Sequence, residues 1–123
     1  MPKRLFALRG AISVNRNDAQ DILDATTELM KAIMQRNALA PDSVVSCIFT
    51  ATNDLNAEFP AVAARALGFE HVPLLCAREI AVPRSMPRVI RVLIHYHAEE
   101  GHEPRHVYLQ EATALRADLQ SAQ

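Results

Sequence analysis

Charged side chains stand inside two otherwise apolar stretches of the chain. Arg91 is surrounded by Val and Ile within residues 89–96, and Glu79 lies near the end of the apolar run 72–80. A charged side chain is seldom fully buried unless an opposite charge pairs with it. Two interpretations follow. Either Glu79 neutralises Arg91 in a structural ion pair, or both residues line a polar pocket for an anionic, hydroxylated ligand.

A third candidate, Arg9, precedes Gly10 in a stretch where polar and apolar residues alternate loosely. A glycine within a strand often marks a bulge or a close approach of backbone, and a bulge can redirect the neighbouring side chain. Arg9 is therefore either a ligand-binding residue or a solvent-facing arginine of an edge strand.

Two further arrangements could carry different chemistry. His95 and His97 would share one face of a strand with Glu99 just beyond, a sparse metal-binding pattern. Cys76 could be a nucleophile, but no Cys, His and Asn pattern accompanies it. The familiar phosphate-loop, dinucleotide, esterase and metalloprotease motifs are absent from the sequence. What remains is a set of cations and hydrogen-bonding groups on predicted strands: Arg9, Cys76, Glu79, Arg91 and Tyr108.

The composition narrows the class of protein. A chain of 123 residues that is 50% hydrophobic with a net charge of -1 predicts one soluble, cytoplasmic domain over residues 1–123. No apolar run approaches the ~20 residues of a membrane span, and no export signal is evident. The near-zero charge argues against nucleic acid as a partner. Cys47 and Cys76 have no disulfide or zinc spacing and are predicted to be thiols.

Periodicity predicts the elements that must position these side chains. Asn17 or Asp18 caps a core-facing helix that runs to about Asn37, and the continuous apolarity of 44–51 predicts a central strand covered on both faces. A short helix with small side chains follows from Pro60 to Gly68. The remaining predicted elements are a first strand at 4–14, a hairpin of strands 72–80 and 89–96, a strand at 105–109, one helical turn at 111–115 and a flexible tail at 116–123.

This order predicts an α+β fold, a ferredoxin-like sandwich in which two helices cover one face of a mixed, mainly antiparallel sheet. Two helices leave the other face of the sheet without cover. Association of several copies around a symmetry axis would supply that cover.

Several motifs together resemble one family along nearly the whole chain. They are R-G-A-I-S-V at Arg9, F-T-A-T-N-D-L-N-A-E-F-P-A at Phe49, C-A-R-E at Cys76, I-R-V at Ile90, R-H-V-Y-L at Arg105 and L-R-A-D-L at Leu115. In this order and spacing, the chain resembles the small trimeric chorismate mutases of the pseudo-α/β-barrel class.

The resemblance implies a reaction and an assembly. Members of this family convert chorismate to prephenate, a Claisen rearrangement in phenylalanine and tyrosine biosynthesis. The reaction needs no cofactor, metal or covalent intermediate. The resemblance also implies a homotrimer that forms a pseudo-α/β barrel, with chorismate bound between subunits.

The resemblance assigns roles to particular residues. Arg9 and Tyr108 would bind the enolpyruvyl carboxylate, and Glu79 with Cys76 would bind the ring hydroxyl. Arg91 would contact the ether oxygen, which gains negative charge as the C–O bond breaks. The residues that would complete the substrate site are Phe59, Ala61 and Arg65 of the neighbouring subunit, and Leu115 and Arg116 near the C-terminus, where Arg116 would screen the ring carboxylate.

Two alternatives remain at this stage. One is a trimer of the same kind that binds carboxylates without catalysis or has a regulatory role. The other is an enamine/imine deaminase, since those small trimers also place an arginine at a subunit interface.

Overall fold

The computed structural model describes residues 2–115, so the predicted tail at 116–123 lies outside the described residues. The strands are β1 (Lys3–Ser13), β2 (Val44–Ala51), β3 (Leu74–Arg78), β4 (Val89–Glu99) and β5 (Val107–Leu109), and the α-helices are α1 (Ala19–Arg36) and α2 (Ala61–Ala64). A wider π turn (Arg65–Phe69) continues α2, and short 3-10 segments precede β2 (Pro41–Ser43) and follow β5 (Gln110–Leu115).

The five strands form one sheet in the order β3-β2-β4-β1-β5. The two long pairings, β4 with β1 and β4 with β2, are antiparallel, whereas β2 pairs with β3 and β1 with β5 in parallel. The predicted α+β fold with a mixed, mainly antiparallel sheet is confirmed. None of the described helices is long and apolar enough to cross a membrane.

The predicted hairpin between residues 72–80 and 89–96 is wrong. β2 lies between β3 and β4, so residues 79–88 cross over the end of β2 instead of forming a tight turn. β4 pairs with β1 along one edge and with β2 along the other, so it takes the central place. β3 is left at the edge, where it is mostly exposed although its sequence is apolar.

Helix α1 forms as its sequence predicts. Asp18 is the N-cap, and its side chain accepts a hydrogen bond from the backbone N–H of Asp21 at 3.1 Å. The apolar stripe faces the sheet, and its buried residues are Ile22, Thr26, Leu29, Met30 and Ile33.

Gly10 permits this helix to lie close to β1. A Cβ atom at this position would stand 2.8 Å from the Ile33 Cδ1 atom and 3.2 Å from the carbonyl oxygen of Val107. Of the two expectations for a strand glycine, the close approach is therefore correct, and the bulge is not, because β1 pairs with β4 in an unbroken register. β1 is also flanked on both sides, by β4 and β5, so it is not an edge strand.

Side chains alternate between two faces of the sheet, here called the helix face and the outer face. The main core lies between the helix face and the helices, and it includes Cys47 and Phe49 of β2. The prediction that both faces of β2 are covered is wrong within one chain, because burial alternates along the strand and Val45 is exposed. A second, smaller cluster on the outer face contains Ala11, Val89, Tyr108 and Ala112.

The predicted helix with small side chains forms in two parts, an α-helical one and a π turn, and ends near Gly68 as expected. α2 covers only Ala61–Ala64, and the chain leaves the following π turn through Gly68 at φ 102°, a left-handed conformation that favours glycine. The small side chains allow α2 to pack against α1 within the same chain. Ala61, Ala63 and Ala64 are buried by this contact and by the core.

Candidate active site

An arginine and a carboxylate meet on the outer face of the sheet. Arg91 projects from β4, and Glu79 lies just after the end of β3 in the segment that crosses β2. The Arg91 Nε atom is 3.1 Å from Glu79 Oε2, and the two side chains are 42% and 17% exposed. The charges therefore pair, but the pair remains accessible from the outer face. The ion pair of the first interpretation is therefore present, and the second, a pocket for an anionic ligand, stays a prediction.

The Arg91 Nε–H group is buried and makes no directed hydrogen bond to the residues that the structure describes. Its 3.1 Å separation from Glu79 is short enough for an ion pair, but the direction of the N–H bond does not meet hydrogen-bond geometry. A buried donor without an acceptor costs free energy, so such groups call for an explanation. The partial satisfaction here is the charge of Glu79, and the exposed part of the guanidinium remains accessible to a ligand.

Two bonds to β2 hold Glu79 in place. Its backbone N–H donates to the carbonyl oxygen of Ala51 at 3.0 Å, so the main chain stays attached to β2 for one residue beyond β3. Its side chain accepts a hydrogen bond from the Thr50 hydroxyl, with Oγ1 and Oε2 separated by 2.6 Å. Thr50 is also the register partner of Arg91 in the adjacent strand. The three side chains thus form one polar cluster on the outer face.

The sheet brings Arg9 and Tyr108 to the same face. Ala11 of β1 is the register partner of both Arg91 in β4 and Tyr108 in β5. Arg9 lies two residues before Ala11 and therefore shares its face. Tyr108 is only 9% exposed and packs in the outer-face cluster, against which Leu115 also lies.

His106 connects the strands that carry Arg9 and Tyr108. Its Nδ1 atom accepts a hydrogen bond from the backbone N–H of Arg9 at 3.0 Å. Burial lowers the pKa of His106, and the nearby Arg9 charge lowers it further. These effects favour the neutral ring, which alone can accept this bond through Nδ1.

Cys76 does not lie beside the Glu79 carboxylate. Because side chains alternate along a strand, Cys76 faces the helix side with its register partner Phe49, three residues before Glu79. It lines a cleft of about 390 Å³ together with Phe59. Glu79 instead lines a smaller cavity of about 140 Å³ with the segment that precedes β4.

The predicted residues therefore fall into two groups within one chain. Those on the outer face are Arg9, Glu79, Arg91, Tyr108 and Leu115. The second group lies around the cleft and α2, where Phe59 is 66% exposed, Ala61 is buried and Arg65 is exposed. One chain does not bring the two groups together at one site. Arg116 lies outside the described residues.

The structure adds no support for the two alternative interpretations, a cysteine nucleophile and a metal site at His95 and His97. Both cysteines are free thiols, and burial raises the pKa of Cys47 to about 12, which keeps that thiol protonated in the core. His95 and His97 lie on the outer face of β4. Within residues 2–115, no three His, Cys, Asp or Glu side chains are grouped so that they could hold a metal ion.

Sequence reasoning missed three polar contacts of this region. Thr50 attracts no notice in the sequence because threonine is common in strands. The alternation of side chains along β2 could have revealed it. This alternation puts Thr50 on the same face as Ser46, whereas Cys47 and Phe49 face the core. His106 was likewise not singled out.

The third missed contact lies between the loop before α1 and the segment that leads to Phe59. The Asn17 side chain accepts hydrogen bonds from the backbone N–H groups of Asn56 and Ala57 and donates to the side chain of Asn56. This contact fixes the segment that lines the cleft. The sequence marks Asn17 only as a possible helix cap, and Asn56 is not distinguishable from an ordinary loop residue.

The fold and the outer-face residues define a class of protein. It is an α+β protein whose mixed sheet carries an arginine–carboxylate pair, a second arginine and a tyrosine on one face. The sequence family is more specific. Residues 5–119 match the family described as chorismate mutase type I. The chain belongs to the type I chorismate mutase family, and the resemblance seen in the sequence motifs is confirmed.

Individual relatives agree with this assignment. The chain is 47% identical over 118 residues to the chorismate mutase AroH of Thermus thermophilus, covering 94% of this chain and 97% of the relative. It is 38% identical over 114 residues to the chorismate mutase AroH of Bacillus subtilis (strain 168), covering 91% and 90%. A solved chorismate mutase from Clostridium thermocellum superposes with a TM-score of 0.85 at 41% identity, covering 89% of this chain and 99% of that chain.

Proposed function

We propose that the protein rearranges chorismate to prephenate at the outer-face cluster around Arg91. The reaction is that of its family, so the protein is a chorismate mutase, an isomerase, as the sequence motifs predicted. It belongs to the biosynthesis of the aromatic amino acids. The assignment of individual residues to steps of the reaction is our own proposal.

The observation that carries this proposal is the Arg91 side chain, which is held 3.1 Å from Glu79 through Nε and still leaves 42% of its surface exposed on the outer face. In the rearrangement, the ether C–O bond breaks while a C–C bond forms, and negative charge develops on the ether oxygen. A donor already positioned at that oxygen binds the transition state more strongly than the ground state, which is the condition for raising kcat. Because the donor is in place before substrate arrives, little reorganisation is needed.

The other outer-face residues orient the substrate. Arg9 and Tyr108 bind the enolpyruvyl carboxylate, and the Glu79 carboxylate accepts a hydrogen bond from the ring hydroxyl. Fixing both ends of the molecule holds the side chain over the ring in the compact arrangement that the pericyclic step requires. No proton has to move, so neither a general base nor a nucleophile is assigned.

A trimer completes the site in this proposal. Large apolar side chains are exposed on and after β3, including Leu75, Ile80 and Val82, and such surfaces favour association. Phe59 and Arg65 reach the outer-face cluster only if they come from a neighbouring copy. We place the protein in the cytoplasm, where free thiols such as Cys47 and Cys76 stay reduced.

The test is a chorismate consumption assay, followed by absorbance, on dialysed, EDTA-treated protein and on two Arg91 variants. The untreated and treated wild type should turn over chorismate equally. Arg91→Ala should lower kcat by roughly 10²-fold to 10³-fold, as expected for loss of one transition-state donor. Arg91→Lys should recover little, since an ammonium cannot reproduce the planar guanidinium geometry.

Two results would contradict the proposal. A wild-type protein that binds chorismate without converting it would be a carboxylate-binding protein. A folded Arg91→Ala variant with nearly normal kcat would reduce Arg91 to a structural ion-pair partner of Glu79.

A further inference from the structure

Thr50 is a polar residue of the outer-face cluster that has no part in the reaction as described above. It lies on β2 as the register partner of Arg91, and its hydroxyl donates to Glu79 Oε2 over 2.6 Å. A hydrogen bond to a carboxylate is stronger than one between neutral groups. This bond is partly buried, which strengthens it further.

The Thr50 bond distinguishes the two oxygens of Glu79. Oε2 accepts the Thr50 hydroxyl and lies 3.1 Å from Arg91 Nε. Oε1 accepts no hydrogen bond from the residues that the structure describes. The hydroxyl therefore fixes the carboxylate in an orientation that leaves one defined oxygen to receive a ligand hydroxyl.

The same bond limits what Arg91 can do. Carboxylates and guanidinium groups tend to pair through two parallel hydrogen bonds. Here Glu79 approaches Arg91 without a directed bond to Nε, and the Thr50 hydroxyl occupies the oxygen nearest to that donor. Without the hydroxyl, the carboxylate would be free to rotate into a full pair with Arg91. The Arg91 guanidinium would then be committed to Glu79 instead of the substrate.

Threonine suits this task better than other hydroxyl residues. Its branched Cβ restricts χ1, so the hydroxyl direction is set by the strand itself. The backbone bond from Glu79 to Ala51 holds the carboxylate next to this hydroxyl. A rigid donor and an anchored acceptor together fix the geometry.

We propose that Thr50 is a positioning residue that orients the Glu79 carboxylate and keeps it from closing a two-bond pair with the Arg91 guanidinium. The proposal rests on the proposed function of Arg91 and Glu79. Thr50 itself touches neither the reacting atoms nor the substrate. It acts through Glu79.

The test compares Thr50→Val, which removes the hydroxyl and keeps the branched shape, with Thr50→Ser, which keeps the hydroxyl. Thr50→Val should lower kcat by roughly 10-fold to 10²-fold, as expected for a small displacement of a catalytic group, with a smaller change in KM. Thr50→Ser should stay within about threefold of wild type, because the donor to Glu79 is kept. The matched control is Ser46→Ala, which removes a hydroxyl from the same strand and face but lies opposite His95, and it should keep wild-type kcat.

A double variant distinguishes positioning from general damage. In a Glu79→Ala background, Thr50→Val should lower kcat by less than about twofold further, because the acceptor of the Thr50 hydroxyl is already gone. Thermal unfolding accompanies every assay, and Thr50→Ala replaces Thr50→Val if the latter does not fold.

Two outcomes overturn the inference: a folded, hydroxyl-free variant with wild-type kcat, or an equal loss in both backgrounds. Failure of the proposed function would be recognised separately, because the wild-type protein itself would then leave chorismate unchanged.

Discussion

Glu79 and Cys76 differ at the scale of the single residue, although both were predicted to bind the ring hydroxyl. The Glu79 carboxylate is anchored by Thr50 and paired with Arg91 on the outer face. The Cys76 side chain belongs to the opposite face and lines the cleft with Phe59. A carboxylate also makes a stronger, charge-assisted bond to a hydroxyl than a thiol does.

We therefore predict that Glu79→Ala severely lowers kcat, by roughly 10²-fold or more, because it removes a preorganised acceptor and leaves Arg91 unpaired. Cys76→Ser should change kcat by less than about fivefold, since a hydroxyl replaces the thiol with little change in size. Steady-state kinetics on chorismate check both values. A Cys76→Ser variant that is as impaired as Glu79→Ala would contradict this assignment.

The candidate site could be predicted from the sequence only in part at this scale. Arg91 and Glu79 stand out because a charge in an apolar run has an energetic cost that is visible without the fold. Thr50 and His106 do not stand out, because their importance comes from partners 29 and 97 residues away along the chain. The orientation of Cys76 depends on the register of β3, which a short apolar run does not specify.

At the scale of elements, capping and periodicity predicted α1 well because both are local properties. Strand pairing was predicted less well. Two apolar strands joined by a proline-rich turn indicate a hairpin, yet β2 separates β3 from β4. β2 pairs with both of them, in parallel with β3 and antiparallel with β4, and these pairings join residues far apart in the sequence, which local patterns do not specify.

Gly10 links the position of α1 to that of the strand that carries Arg9. We predict that Gly10→Ala lowers the free energy of unfolding by about 1–3 kcal/mol, because an added methyl group would overpack the contact with Ile33 and the Val107 carbonyl. Gly101→Ala is the matched control, since nothing lies within 4 Å of its Cβ position. It should change stability by no more than about 0.5 kcal/mol.

Chemical denaturation at one fixed protein concentration measures both glycine variants, because association contributes to apparent stability. Equal stability of Gly10→Ala and Gly101→Ala would show that α1 can move away from β1 without cost. The close contact at Gly10 would then have no energetic role.

At the scale of the whole molecule, one chain leaves two incomplete groups of predicted site residues. Arg91 lies on the outer face of the sheet, whereas Arg65 is exposed on the π turn after α2, among the elements of the helix face. A cyclic trimer has heterologous interfaces, in which the outer face of one copy meets a different surface of the next. Such an assembly would join the two groups three times around its axis.

The most direct test of this shared site mixes Arg91→Ala and Arg65→Ala, each first shown to be impaired alone. The two variants are unfolded together in equal amounts and reassembled at random. If each site takes Arg91 from one chain and Arg65 from the next, roughly a quarter of all sites have both residues intact.

Mixing Arg91→Ala with an Arg91→Ala/Arg65→Ala double variant is the control, because no chain then supplies Arg91. We predict that chorismate turnover returns to about a quarter of the wild-type value in the first mixture and stays at the low level of Arg91→Ala in the control. If mixed assemblies form and turnover does not return, each site is contained within one chain and the shared-site account is wrong.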